Sequence, residues 1–172
     1  MPKYTREHLD SIYDEALHAK DEGDLDKAFE LFMRGALLDD PHAQNAVALA
    51  YSDGEGIKQD KNEAIRWLKK SLRIEQQPGY CSNIAIVYSE MGKRRQAEYW
   101  WQKAVALGNG DAALTYAKFL LKVSGRYSPK VITLLKFAKN SREGWKITAD
   151  GREEAIELLE KSKGDKKSQP TK

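Results

Sequence analysis

The 172-residue sequence predicts an all-α fold of about nine helices, paired as antiparallel hairpins. Three observations carry this expectation. Small, large and small residues recur at matched places along the chain. Glycines and acidic residues punctuate it where helices should stop and start. Long alternations of β-branched residues, the mark of strands, are absent.

The clearest hairpin runs from Ala43 to Leu72, AQNAVALAYSDGEGIKQDKNEAIRWLKKSL. Its first helix carries Ala46, Val47, Ala50 and Tyr51, and its second Ala64, Ile65, Trp67, Leu68 and Ser71. Ala48 and Ala64 are small enough to let the two axes approach. Gly54 stops the first helix, because glycine takes the left-handed conformation cheaply. Asp60 opens the second, because its carboxylate accepts bonds from the open N–H groups of a first turn.

Aligned on the alanine that opens each second helix, Ala28, Ala64 and Ala97 lie 36 and 33 residues apart. Phe32, Leu68 and Trp101 follow four residues later, and Gly35, Ser71 and Ala104 three beyond those. Offsets of zero, four and seven fall on one helix face. The first helices agree: Ala16, Ala48 and Ala85 are followed by Ala19, Tyr51 and Tyr88. Helices are expected at 5–22, 24–39, 41–53, 60–75, 79–91 and 93–108.

A fourth, divergent unit follows. AALTYAKFLLKVSG supplies Ala117 and Leu120, and SPKVITLLKFAKNS places Val131, Leu135 and Ala138 on one stripe. Ser128 before Pro129 is a cap followed by a first-turn proline. SREGWKITAD reads as a linker, with Trp145 packing beneath the last helix. That helix, at about 149–162, offers Ala155, Ile156, Leu158 and Leu159 to close the stack. The expected organisation is one domain over 1–163, with a disordered lysine-rich tail over 164–172.

Composition narrows the function classes. The longest apolar runs fall far short of the roughly 20 residues that a membrane span needs. MPKYTREHLDS has no apolar stretch of the secretory kind, so a cytoplasmic location is expected. The one cysteine, Cys81, excludes an internal disulfide and reads as a small buried residue. Residues 1–40 hold five basic and eleven acidic side chains, whereas 61–110 hold nine basic and four acidic. Residues 161–172 carry five lysines and one aspartate, a solvated end rather than a nucleic-acid arm.

The Ala43–Leu72 hairpin resembles the Sel1-like repeat, a relative of the tetratricopeptide repeat with a longer loop. Ala43, Ala48, Tyr51, Gly54, Gly56, Asp60, Ala64 and Trp67 carry the resemblance. The turns at Gly23–Ala28 and Met91–Ala97 are similar to the shorter tetratricopeptide form. The resemblance covers about 5–140 and implies a right-handed superhelical solenoid. It also implies a non-enzymatic protein that binds partner proteins on its concave side.

Catalytic signals are sparse. His8, His18 and His42 are scattered without metal-ligand spacing. Gly54 and Gly56 make no phosphate loop, and DEGDLD lacks the spacing of a calcium loop. No catalytic residue, cofactor or metal is expected. Asp53 and Glu90 occupy equivalent places in neighbouring units, which leaves a carboxylate pair as the one enzymatic alternative. In Tyr99–Trp100–Trp101, Trp101 is the core residue, and one of the other two is the candidate exposed anchor.

The repeat template predicts the concave face from the first helices. It consists of Asp10, Tyr13, Leu17 and Asp21; His42, Asn45, Leu49 and Ser52; Ser82, Ile86, Ser89 and Glu90; and Leu114, Lys118 and Leu121. Tyr13, Leu17, Leu49 and Ile86 would supply apolar contact, and Asp10 and Asp21 would steer a basic partner. The expected function is that of an adaptor or scaffold binding another protein. An immunity protein that covers a secreted bacterial toxin is the narrower alternative. Nucleic acid and membrane are not expected partners, and the sequence leaves the oligomeric state open.

Overall fold

The computed structural model describes residues 4–142 and 147–165, and Trp145 and the tail from 166 lie outside them. Among the described residues there are nine helices and no strand. They are α1 (Arg6–Asp21), α2 (Leu25–Leu37), α3 (Pro41–Asp53), α4 (Lys61–Ile74), α5 (Pro78–Glu90), α6 (Arg94–Ala106), α7 (Gly110–Ser124), α8 (Pro129–Asn140) and α9 (Ala149–Asp165). The chain forms two compact units, Met1–Ala97 and Glu98–Lys172.

Local chemistry sets the helix ends. Asp60 Oδ1 accepts from the N–H groups of Asn62 at 2.9 Å and Glu63 at 3.1 Å. Asp40, buried at the head of α3, accepts from His42 at 2.7 Å and Ala43 at 3.2 Å. Ser128 and Asn109 cap α8 and α7 in the same way. Gly54 ends α3 with φ +80°, and its N–H donates to the Ala50 carbonyl. α9 runs on to Asp165, past its expected end.

The recurring pattern is the core. Ala28, Phe32 and Gly35 are buried in α2, and Ala64, Leu68 and Ser71 in α4. Ala97, Trp101 and Ala104 follow in α6, and Val131, Leu135 and Ala138 in α8. On the partner helices, Ala16, Ala48, Ala85 and Ala117 are all at 0% exposure. Small side chains therefore stand at the crossings, and large ones fill the space beside them. A Cβ on Gly35 would come within 2.9 Å of the Cβ of Ala43, so α2 and α3 approach as closely as side chains permit.

In the first unit, α1 packs on α2, α2 on α3, α3 on α4 and α4 on α5. One cluster from Ala16 to Val47 gathers Tyr13, Phe29, Met33, Tyr51 and Trp67 around it. The long loop after α3 leans back on α2: a Cβ on Gly56 would stand 2.0 Å from the Leu25 carbonyl oxygen. In the second unit α7 packs on α8, and α9 packs on α8 and touches α7. Trp101 stacks on Tyr116 at 5.5 Å and meets Phe119 at 4.7 Å. The Tyr116 hydroxyl donates to Glu98 at 3.0 Å. Ala155 is fully buried, whereas Ile156 remains exposed rather than closing the stack.

Two substitutions test this packing. Ala64→Leu is expected to overpack the α3–α4 crossing and cost about 1–3 kcal/mol. Gly56→Ala combines a φ of +65° with a clash against backbone. Its expected cost is on the order of 3 kcal/mol. Urea denaturation followed by circular dichroism reads both.

Candidate partner-binding face

The first helices of the first unit keep one row of side chains out of the core. Leu17, Leu49 and Ile86 each stand one residue after a buried alanine. They are 40%, 37% and 38% exposed. Helical geometry explains the coincidence: a step of one residue turns the side chain about 100° away from the crossing. Tyr13, Leu17 and Asp21 of α1 and Asn45 and Leu49 of α3 line one cleft, floored by Phe29 and Phe32 of α2. The cleft measures about 320 Å³. Glu55, from the long loop, closes one end and pairs with Lys20.

Beside the cleft runs a polar network. The His42 ring lies 6.4 Å from that of Tyr13 and 6.5 Å from that of Tyr80. Its Nδ1 shares a 3.3 Å hydrogen bond with the Tyr80 hydroxyl, and its Nε2 lies 3.8 Å from Glu75. Asn83 Nδ2 donates to Asn45 Oδ1 at 2.8 Å. Tyr80 and Asn83 are absent from the template-derived face. The residues at their register in α3, Ala43 and Ala46, carry no polar group that would have marked them.

Other expected face residues lie as follows. Asp10 is exposed and paired with Arg6 at 3.0 Å. Ser82 and Ser89 are half-buried. Ser82 donates to the Pro78 carbonyl, so its hydroxyl is used within its own helix. Glu90 is exposed but held by Lys61 at 3.0 Å. Of the members in the second unit, Lys118 pairs with Glu154 at 2.6 Å, and Leu121 is half-buried.

Two expectations fail. Ser52 is 4% exposed and Leu114 is 5% exposed, so neither offers surface. The long loop covers Ser52, whose carbonyl accepts from Gln59 Nε2 at 2.7 Å. Leu114 lies one turn beyond Asp111, which accepts from Thr148 where α9 begins. Of the two carboxylates at equivalent places, Glu90 pairs with Lys61 and Asp53 is exposed. Among the described residues no three His, Cys, Asp or Glu side chains gather as a metal site. Of the aromatic triplet, Trp101 is buried and Tyr99 is the exposed member, at 59%. Trp100 is half-buried beneath Lys103, whose Nζ lies 5.0 Å from the ring centre.

Known proteins resemble the chain in two of its segments and in its fold. The model of the Sel1 repeat matches residues 41–73 and 91–109. These two segments carry the Sel1 repeat pattern. The Sel1 hairpin at 41–73 holds α3, the glycine loop and almost all of α4. Among solved structures the chain is similar to a Sel1 repeat protein from Oxalobacter formigenes. The identity is 22% and the TM-score 0.59, over 73% of this chain and 54% of that one. It is also similar to c5321, a protective antigen of uropathogenic Escherichia coli strains with an SLR fold. There the identity is 16% and the TM-score 0.61, covering 95% and 49% of the two chains. The chain thus spans about half the length of these two proteins. MamA aligns over 98% of this chain and 99% of its own, at 18% identity and TM-score 0.60. Likeness at these identities establishes the fold, a Sel1-type helical solenoid. No curated protein matches the chain. Sel1 repeats commonly serve protein–protein interaction. Among the described residues no helix is long and apolar enough to cross a membrane.

The network has a pH signature. Burial, reinforced by Glu75 and Asp40, pushes the Tyr80 hydroxyl well above its ordinary value of 10.0. Burial and Asp40 push Tyr13 upward as well. Both hydroxyls hold their protons more tightly folded than unfolded. Their contribution to stability is therefore full below about pH 10 and drains as the pH rises beyond it. The urea midpoint is expected to fall between pH 9 and pH 11, and to fall less in Tyr80→Phe.

Proposed function

We propose that this Sel1 array is a non-enzymatic docking module that binds a partner protein along the first-helix face of its first unit. One observation carries the reading. Three large apolar side chains, Leu17, Leu49 and Ile86, recur at one register and remain exposed. Packing does not demand them there, since the alanines before them already fill the crossings. An exposed apolar row flanked by polar groups is the composition of a binding surface.

The mechanism is presentation by a rigid scaffold. α1 and α3 are fixed by their own hairpins and α5 by its packing on α4, so the face loses little freedom when a partner docks. Tyr13 adds an amphipathic contact at the cleft. Asp10, Asp21 and Asp53 are exposed around the row and favour a partner segment carrying basic residues. Such a partner places apolar side chains on Leu17, Leu49 and Ile86 and cations towards the aspartates. The role that follows is that of an adaptor.

Affinity purification with mass spectrometry tests this, comparing the wild type with the double variant Leu49→Lys, Ile86→Lys. Both positions are exposed, so the melting temperature is expected to stay within a few degrees. Proteins recovered by the wild type are expected to disappear from the variant. Recovery of the same set by both, or of none by the wild type, overturns the reading.

A further inference from the structure

The second unit carries a groove of different character, between α8 and α9. Its lining combines the apolar Ile132, Ile156 and Leu159 with Lys136, Lys139 and Lys163. It encloses about 450 Å³. A shallower recess of about 480 Å³ continues past Lys136 to Phe137 and Arg142. Ile156 and Phe137 are 37% and 38% exposed. Ile156 and Leu159 both lie on α9, the last helix among the described residues.

Charge decides what fits. Lys163 is paired with Glu160 at 2.8 Å. Glu160 also lines the groove and lies within electrostatic reach of Lys139, but three lysines against one acid leave the lining net cationic. Cations held beside an apolar lining attract carboxylates that arrive with apolar side chains. The chain's own continuation is the wrong sign: residues 166–172 hold three lysines and no acid. A bilayer surface needs a broad apolar face, and the apolar lining here is confined to a groove of about 450 Å³. A nucleic-acid backbone would meet the lysines and leave the apolar lining uncovered. A helix with one apolar stripe between two rows of acids satisfies both features, in the helix-in-groove mode.

We propose that the α8–α9 groove docks a single acidic amphipathic helix of a partner protein. Its apolar stripe rests on Ile132, Ile156 and Leu159, and its carboxylates meet Lys136 and Lys139. This second surface is independent of the apolar row of the first unit.

The test uses the full chain and two fluorescein-labelled designed peptides. Both carry the same leucine stripe at helical spacing, one flanked by glutamates and the other by lysines. Fluorescence anisotropy is expected to show the acidic peptide binding at least about tenfold more tightly, with affinity falling as salt rises. Lys136→Glu with Lys139→Glu is expected to reverse the preference, an outcome that loss of folding would not produce. Ile156→Asp is expected to weaken the acidic peptide about tenfold while circular dichroism stays unchanged. Leu49→Lys with Ile86→Lys is expected to leave this binding intact. Equal binding of both peptides overturns the proposal, as does an unchanged preference after charge reversal. So does a double-stranded oligonucleotide that binds as tightly as the acidic peptide and is lost with the same lysines.

Discussion

Each hairpin depends on how closely its two helices can approach. Alanine stands at the buried register of α1, α3, α5, α7 and α9, from Ala16 to Ala155. On the second helices the same task falls to Ala28, Ala64 and Ala97, with Val131 in α8. A methyl group at the crossing lets Phe32, Leu68, Trp101 and Leu135 fill the flanks without voids. A single hairpin cannot cover both of its apolar sides, so burial is completed only when hairpins stack. The solenoid follows from that shortage.

The same geometry determines what is left for other molecules. A residue one step past the crossing points away from the core whatever its type. In α1, α3 and α5 the chain places leucine, leucine and isoleucine at that step, and in α7 it places Lys118. In α9 the step yields Ile156, which lines the α8–α9 groove. One register therefore supplies apolar contact in the first unit, a paired cation in α7 and an isolated apolar contact in α9. Architecture fixes the direction of the side chain, and the sequence is free to choose its chemistry.

Much of this is readable from residues alone, because the signals are local. The caps at Asp60 and Ser128 and the stop at Gly54 each involve groups within four residues. The small, large, small pattern is likewise a property of one helix. Exposure is not local, and there the reading falters. Ser52 has the register of an exposed residue but is covered by a loop whose path depends on Gly56 meeting Leu25. Leu114 is 5% exposed on a helix whose Asp111 accepts from Thr148, more than thirty residues further on. Tyr80 joins the site because its hydroxyl reaches His42 on another helix, which no spacing within α5 announces.

The contact between Gly56 and Leu25 reaches beyond its own neighbourhood. Hairpins of a solenoid are often treated as interchangeable bricks, to be duplicated, deleted or shuffled. Here the loop of one brick is shaped to the masonry of the one before it, down to the absence of a single carbon atom. Moving residues 41–74 elsewhere in the array would carry the loop away from the ledge it was cut for. Lineages that rearrange such arrays would therefore keep the first two hairpins together, and designers who splice them should cut after α4 rather than before α3.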